Sequence, residues 1–357
     1  MDFALDDDQQ LITETVRRFA DRDLRAWAAE ADRTAAAPDR FAHTAGELGF
    51  FLDAVPANAG GLLEGDYSHT TRALRGYELG RGCAALAALC ECNVEPALAA
   101  SRWGSAAAKQ ALFAALASGG LATLVHDSRG ALTVTTEGDD VRLSGKLGPA
   151  PALATAAFAL VTTRDLVALV ALAGATPITP SGWRAARWGT IELAAQRIPA
   201  DFILARGAAA AAVTATVLAW ARVSLAARAV GVSVSAMEHA ERYAVERVQF
   251  GQPIGTFESL IRLRDDSLTT AAAARMLVLY AAWQLDHDLP TAHDTASRAR
   301  VIAGDCVAKA TVDAVQIYGG YGFVNDYPVE KLMRDSRAFE ALLGDERFGR
   351  VLAQKVA

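Results

Sequence analysis

The stretch GAAAAAVTATVLAWARVSLAARAVGVSVSAM, from Gly207 to Met237, constrains this chain more than any other. It is apolar, rich in alanine and far too long for a strand. A helix that is apolar all round has to be enclosed, by lipid or by other protein elements. Its length suits a membrane span, but Arg222 and Arg228 interrupt it, so a helix buried inside the protein is expected.

The flanking sequence supplies elements to enclose it. From the start to about Gly119 the apolar residues recur with a helical period. Leu11, Val16, Phe19 and Leu24 form one stripe behind the acidic opening DDD, which suits a helix N-terminus. ELGFFLDAVPANAGG, with Pro56, Gly60 and Gly61, reads as a loop. After Gly120 the pattern changes to short β-branched runs divided by turn residues: LATLVHDS, ALTVTTEG, VRLSGKLG, FALVTTRDLVALVALA and IELAAQRIPADFIL. These read as strands of a small sheet or barrel. Helical patterns then return and last to the end. Three regions are expected: helical over 1–119, β over 120–206 and helical over 207–357.

Composition excludes several classes. A chain of 357 residues with 52% hydrophobic content can bury a large core. A net charge of −6 argues against general nucleic-acid binding and against a polybasic membrane anchor. MDFALDDDQQ lacks the positive start of a secretory signal. Four cysteines do not make a disulfide framework in a chain this long, so a cytoplasmic location is expected. Cys90-Glu91-Cys92 has no second Cys/His cluster beside it and reads as one turn of an apolar helix, not a metal site.

Two segments carry candidate chemistry. In YAVERVQFGQPIGTFESL, Gly251 is expected to cap a helix C-terminus in a left-handed conformation, and Pro253 to stop continuation. Arg247 then falls in the last turn, either favouring the helix dipole or forming an anion site suited to a pyrophosphate. In AVQIYGGYGFVNDYPVEKLMRDSR, Gly319, Gly320 and Gly322 permit close backbone approach. That loop is either a plain helix-to-helix turn or a dinucleotide contact in which Gln316 offers an amide.

Together these segments resemble the acyl-CoA dehydrogenases. ELGF…AVPANAGG, GDDVRLSGK, RVSLAARAVGVSVSAMEHAERYAVERVQFG, QIYGGYGF and RDSR extend the resemblance over nearly the whole chain. The resemblance implies a mainly α fold with a central β domain: an N-terminal helical domain, a small β-barrel and a C-terminal four-helix bundle. It implies FAD, an acyl-CoA or other acyl thioester as substrate, and a dimer or tetramer. It also assigns Arg247, Phe250, Gly251, Gln316, Gly319 and Gly320 to contact with the pyrophosphate and adenosine end of a neighbouring protomer's FAD.

The pattern is broken where the chemistry should be. The family's usual Glu-Gly-Thr, whose glutamate is the base, aligns with Leu343-Gly344-Asp345, and leucine has no titratable group. A subset of the family places its glutamate before an arginine on an earlier helix; that arginine matches Arg222, and Ala221 precedes it. Both base positions are empty. The flavin-cradling stretch is shortened to LVHDSRGALT, and the family's Trp-Ile-Thr aligns with Gly148-Pro149-Ala150, losing an aromatic wall and a hydroxyl donor. Substitute bases are few. Asp345 lies roughly 200° around a helix from Leu343. Glu340 and Glu346 share its face but read better as solvated charges, and His126 reads better as a hydrogen-bonded structural residue. Arg334 and Asp335 read as a structural ion pair.

Segments that serve the chain's own flavin ring have drifted, and those that reach a neighbour's FAD remain. The expected function is a base-less subunit of a heteromeric, FAD-dependent acyl-CoA dehydrogenase, completing a related partner subunit's site. Two alternatives stand beside it: a self-sufficient flavoenzyme of the same fold with different chemistry, such as monooxygenation or carrier-tethered acyl oxidation, and a flavin-free scaffold.

Overall fold

A computed structural model describes residues 4–342 of the chain. The N-terminal region is helical throughout. Helices α1 (Asp7–Phe19) and α2 (Arg25–Thr34) form one rod, joined through a π-turn at Ala20–Leu24. Asp6 opens it with a reciprocal capping box: its carboxylate accepts the Gln9 N–H at 2.7 Å. Then follow α3 (Phe41–Glu47), α4 (His69–Gly82), α5 (Ala84–Glu91), α6 (Val94–Trp103) and α7 (Ala106–Ala117).

The middle region contains β1 (Leu121–His126), β2 (Thr133–Glu137), β3 (Asp140–Ala150), β4 (Ala156–Thr162), β5 (Leu166–Ala171), β6 (Thr176–Pro177), β7 (Gly189–Ile198) and β8 (Ile203–Arg206). The described strands pair as two separate sheets of four, ordered β1-β4-β5-β8 and β2-β3-β7-β6. Only β1 and β4 run parallel within these sheets. The expected barrel is thus open along two seams. Its sheets face each other across a shared core that includes Leu143, Leu147, Val161, Val170 and Ile191. On β3 and β7 burial largely alternates with the pleat, one face to this core and one to solvent.

The long apolar stretch becomes α8 (Gly207–Glu246), a 40-residue helix. The short strands β9 (Val248–Gln249) and β10 (Gln252–Pro253) form a hairpin behind it, followed by α9 (Glu258–Asp286), α10 (Ala292–Tyr318) and α11 (Pro328–Ala341). Helices α8 to α11 make the four-helix bundle. α8 also packs against α4 and β5, so protein encloses its middle, while residues near both ends are exposed. Close approach explains its glycine: a Cβ on Gly231 would lie 2.1 Å from the Tyr77 carbonyl oxygen, and one on Gly80 of α4 would lie 2.3 Å from that of Arg228. All four cysteines are buried and unpaired.

Candidate functional site

The end of the bundle carries a surface pocket of about 450 Å³. The last turn of α8 contributes Tyr243, and its extended C-cap residue Arg247. The turn after α10 contributes Gly319, Gly320 and Tyr321. The tyrosines order this end. Tyr243 and Tyr318 stack with ring centres 4.2 Å apart, and Tyr327 meets both edge-on. Burial pushes the Tyr318 hydroxyl up to about 12, and it donates to the His239 carbonyl at 3.2 Å. The Arg247 guanidinium lies 5.4 Å from the centre of the Tyr321 ring. Among the described residues it pairs with no carboxylate. A cation of this kind, beside an aromatic face, suits an anionic ligand.

Of the six residues expected at a dinucleotide contact, Arg247, Gly319 and Gly320 line this pocket together. Gln316 is exposed on the last turn of α10 but does not line it. Phe250 and Gly251 lie beyond it, at the tip of the β9–β10 hairpin. Gly251 does not cap α8. That helix ends at Glu246, with Arg247 extended as its C-cap. The left-handed conformation of Gly251, φ +79°, belongs to the hairpin turn, where Phe250 is also left-handed at φ +54°. Positive φ at both central residues matches the twist of a two-residue hairpin. Phe250 is 95% exposed.

Where α5, α6, β1 and α8 meet, a second, interior site lies around a cavity of about 80 Å³. Its walls include Glu91, Glu95, Thr123, Trp183, Ala221 and Arg228. Behind them is a buried ion network. Arg72 Nε donates to Glu91 at 2.6 Å and its Nη1 to Glu95 at 2.8 Å. Arg75 donates to Glu91 at 2.7 Å and to Asp53. Ser224 Oγ adds a bond to Glu91 at 3.1 Å. Burial opposes ionisation of Glu91, but Arg75, Arg72 and Arg228 outweigh it and hold its carboxyl at about 2. Burial pushes Asp53 above the usual carboxylate range, against the pull of Arg75. Small-molecule sites typically span roughly 300–1,000 Å³, a range that includes the surface pocket and exceeds the interior cavity.

The described base positions and candidate substitutes do not gather at one site. Ala221 lines the interior cavity with a methyl group. Leu343, Asp345 and Glu346 lie outside the described residues. Glu340 pairs with Arg337 at 2.6 Å on the outer side of α11. His126, at the end of β1, holds Thr162 Oγ1 at 3.0 Å and does not line the cavity. Burial, with Arg222 adding to it, lowers its pKa. Asp127 is spent on its own loop, accepting the Ala131 and Leu132 N–H groups at 2.9 Å each. Arg334 and Asp335 are not a pair with each other. Neighbours in sequence diverge around a helix, so Arg334 reaches Asp32 at 2.7 Å and Glu330 at 2.6 Å, while Asp335 pairs with Lys331 at 2.5 Å.

Sequence reasoning missed Tyr243, Tyr318 and Tyr321 at the surface, and Arg72, Arg75, Glu91, Glu95 and Trp183 inside. The available signals were the i, i+4 spacing of Tyr243 and Arg247 and the charges set on the apolar faces of α4 to α6.

Comparison with known proteins accounts for this layout. Residues 6–120 match the acyl-CoA dehydrogenase N-terminal domain, and residues 210–355 the acyl-CoA dehydrogenase C-terminal domain. A probable acyl-CoA dehydrogenase of Bacillus subtilis is 29% identical over 99% of this chain and 98% of its own length. An acyl-CoA dehydrogenase of the same organism is 42% identical over 134 residues, covering 38% of this chain and 35% of the relative. The solved butyryl-CoA dehydrogenase from Megasphaera elsdenii superposes with a TM-score of 0.88 over 100% of this chain and 99% of its own; at 22% identity, that likeness shows the shared fold. With both helical regions matched to one family and the β layer between them folded alike, the chain belongs to the acyl-CoA dehydrogenase family.

Proposed function

We propose that this chain is the base-less subunit of a heteromeric, FAD-dependent acyl-CoA dehydrogenase and completes the flavin site of a related partner subunit. The observation that carries this reading is the contrast between the two sites. The surface pocket of about 450 Å³ presents a guanidinium that pairs with no carboxylate among the described residues, and the cavity of about 80 Å³ is backed by buried ion pairs. The bound flavin supplies hydride acceptance in such enzymes. This chain's part is to hold the phosphates with Arg247, to let the backbone of Gly319 and Gly320 approach the nucleotide, and to seat the partner with the Phe250 hairpin. Ala221 and Leu343 supply no proton acceptor.

The purified chain should be colourless and stay so when FAD is added. Mixed with a related subunit that keeps the glutamate, it should give a complex with flavin absorbance near ~450 nm. Arg247→Met should lower the flavin content of that complex about tenfold, since a charged hydrogen bond to phosphate contributes about 1.5–3 kcal/mol. A yellow chain at full flavin occupancy without a partner would end this reading.

A further inference from the structure

The loop in AVPANAGG belongs to neither site described above. It is tied at both ends. The Ala57 N–H donates to the Leu63 carbonyl at 3.0 Å, the Gly61 N–H to the Pro56 carbonyl at 3.1 Å, and the Leu63 N–H to the Val55 carbonyl at 2.9 Å. Gly61 lets these segments meet, since a Cβ there would lie 2.0 Å from the Val55 carbonyl oxygen. Held in this way, the loop forms one rim of a surface pocket of about 560 Å³, and α6 and α7 form the other.

Much of the lining is apolar. It includes Pro56, Ala59 and Phe113, the last only 5% exposed. Polar groups break that lining at separate points. Ser101 lies on the last turn of α6, and its Oγ is buried with no hydrogen-bond partner. A buried serine hydroxyl in a helix ordinarily bonds the carbonyl four residues back; this one is left for an acceptor from outside the helix. Lys109, on the first turn of α7, brings an ammonium group that meets no carboxylate among the described residues. Asn58 adds an exposed amide from the loop.

One cation and one hydroxyl donor in an apolar slot match a single negative charge on an apolar body. An alkane would leave Ser101 and Lys109 unmet. A phosphate dianion calls for more charged donors than one lysine. A thioester carbonyl offers Lys109 no charge.

We propose that this pocket binds a small apolar carboxylic acid in its ionised form. The carboxylate accepts from Ser101 Oγ and Lys109 Nζ, and the apolar body lies on Pro56, Ala59 and Phe113. The ligand class is a free monoacid with a single ring or a short branched chain. The site is separate from the pocket at the end of the bundle, and its reading does not depend on the role of this chain as a subunit.

The test is titration calorimetry on the full chain with benzoate, its neutral isostere benzamide, and acetate. Benzoate should bind saturably and about tenfold more tightly than either, since benzamide lacks the charge and acetate the apolar body. Lys109→Met keeps an unbranched stem with good helix propensity and removes the charge; it should weaken benzoate about tenfold and leave benzamide unchanged. Ser101→Ala should weaken benzoate about fivefold. It should not lower the thermal midpoint of the free chain, because the hydroxyl it removes has no partner there. Arg247→Met should bind benzoate as the parent chain does; a loss there would move the ligand to the bundle-end pocket and overturn the assignment. So would equal affinity for benzoate and benzamide, benzoate binding untouched by Lys109→Met, or no saturable binding at all.

Discussion

At Phe250 two unfavourable features coincide. The residue holds φ +54° with 95% of its surface exposed. A left-handed conformation in a bulky residue costs of order 1 kcal/mol or more, and an exposed aromatic ring recovers little of it. Among the described residues its ring contact is Phe257, with centres 6.2 Å apart. Phe250→Asn would supply the residue that a two-residue hairpin prefers before Gly251. The isolated chain should gain about 0.5–1 kcal/mol in urea denaturation. Assembly with the partner subunit should weaken about tenfold, measured by analytical ultracentrifugation. Gain of stability with unchanged assembly would free the hairpin from any docking role.

At the scale of elements, the crossing of α4 over α8 sets the geometry of the interior. Gly76 and Gly80 on α4 face Ala227 and Arg228 on α8, and Gly231 of α8 faces Tyr77 and Arg81, so the two backbones approach closely. Gly80→Ala has no room, since its Cβ would sit 2.3 Å from a backbone oxygen rather than from a flexible side chain. The helices would have to separate. The expected loss is about 1–3 kcal/mol, read as a lower urea midpoint with unchanged slope. A neutral outcome would mean that the helices separate there at no cost.

Over the whole molecule, buried titratable groups make stability depend on pH. Burial, followed by Arg72, lowers His69 to about 3, and burial, followed by Arg242 and Arg25, lowers His239 to about 4. Both folded values lie below the unfolded value of roughly 6.5, so the unfolded chain binds more protons beneath that point. The stability these histidines contribute is complete above pH ~6.5 and falls as pH drops toward 4 and 3. Glu91, held at about 2, adds a second loss as pH falls below the roughly 4.3 of an unfolded glutamate. The unfolding free energy should therefore decline between pH 7.5 and 4, with a slope from His69 approaching about 1.4 kcal/mol per pH unit, and melting temperatures should fall with it. His69→Phe, which keeps the ring stacked on Trp220, should flatten the upper part of that decline. A wild-type profile already flat over this interval would show that His69 is solvated in the folded chain.

The sequence by itself determined what depends on neighbours along the chain. The helical stripe behind Asp6, the β-branched runs between Gly120 and Arg206, and the enclosed helix from Gly207 all follow from periodicity, which is local. Arg247 and the Gly319-Gly320 pair were legible because turn chemistry marks them. The tertiary structure alone decided which faces meet. Gly251 turns a hairpin instead of capping a helix because Arg247 leaves the helical conformation first. Arg334 and Asp335 part because successive side chains on a helix point different ways. Arg72 meets Glu91 and Glu95, and Arg75 meets Glu91, because the fold sets α4 against α5 and α6. Pockets and buried ion pairs depend on distances between elements, and one-dimensional periodicity carries no such distances.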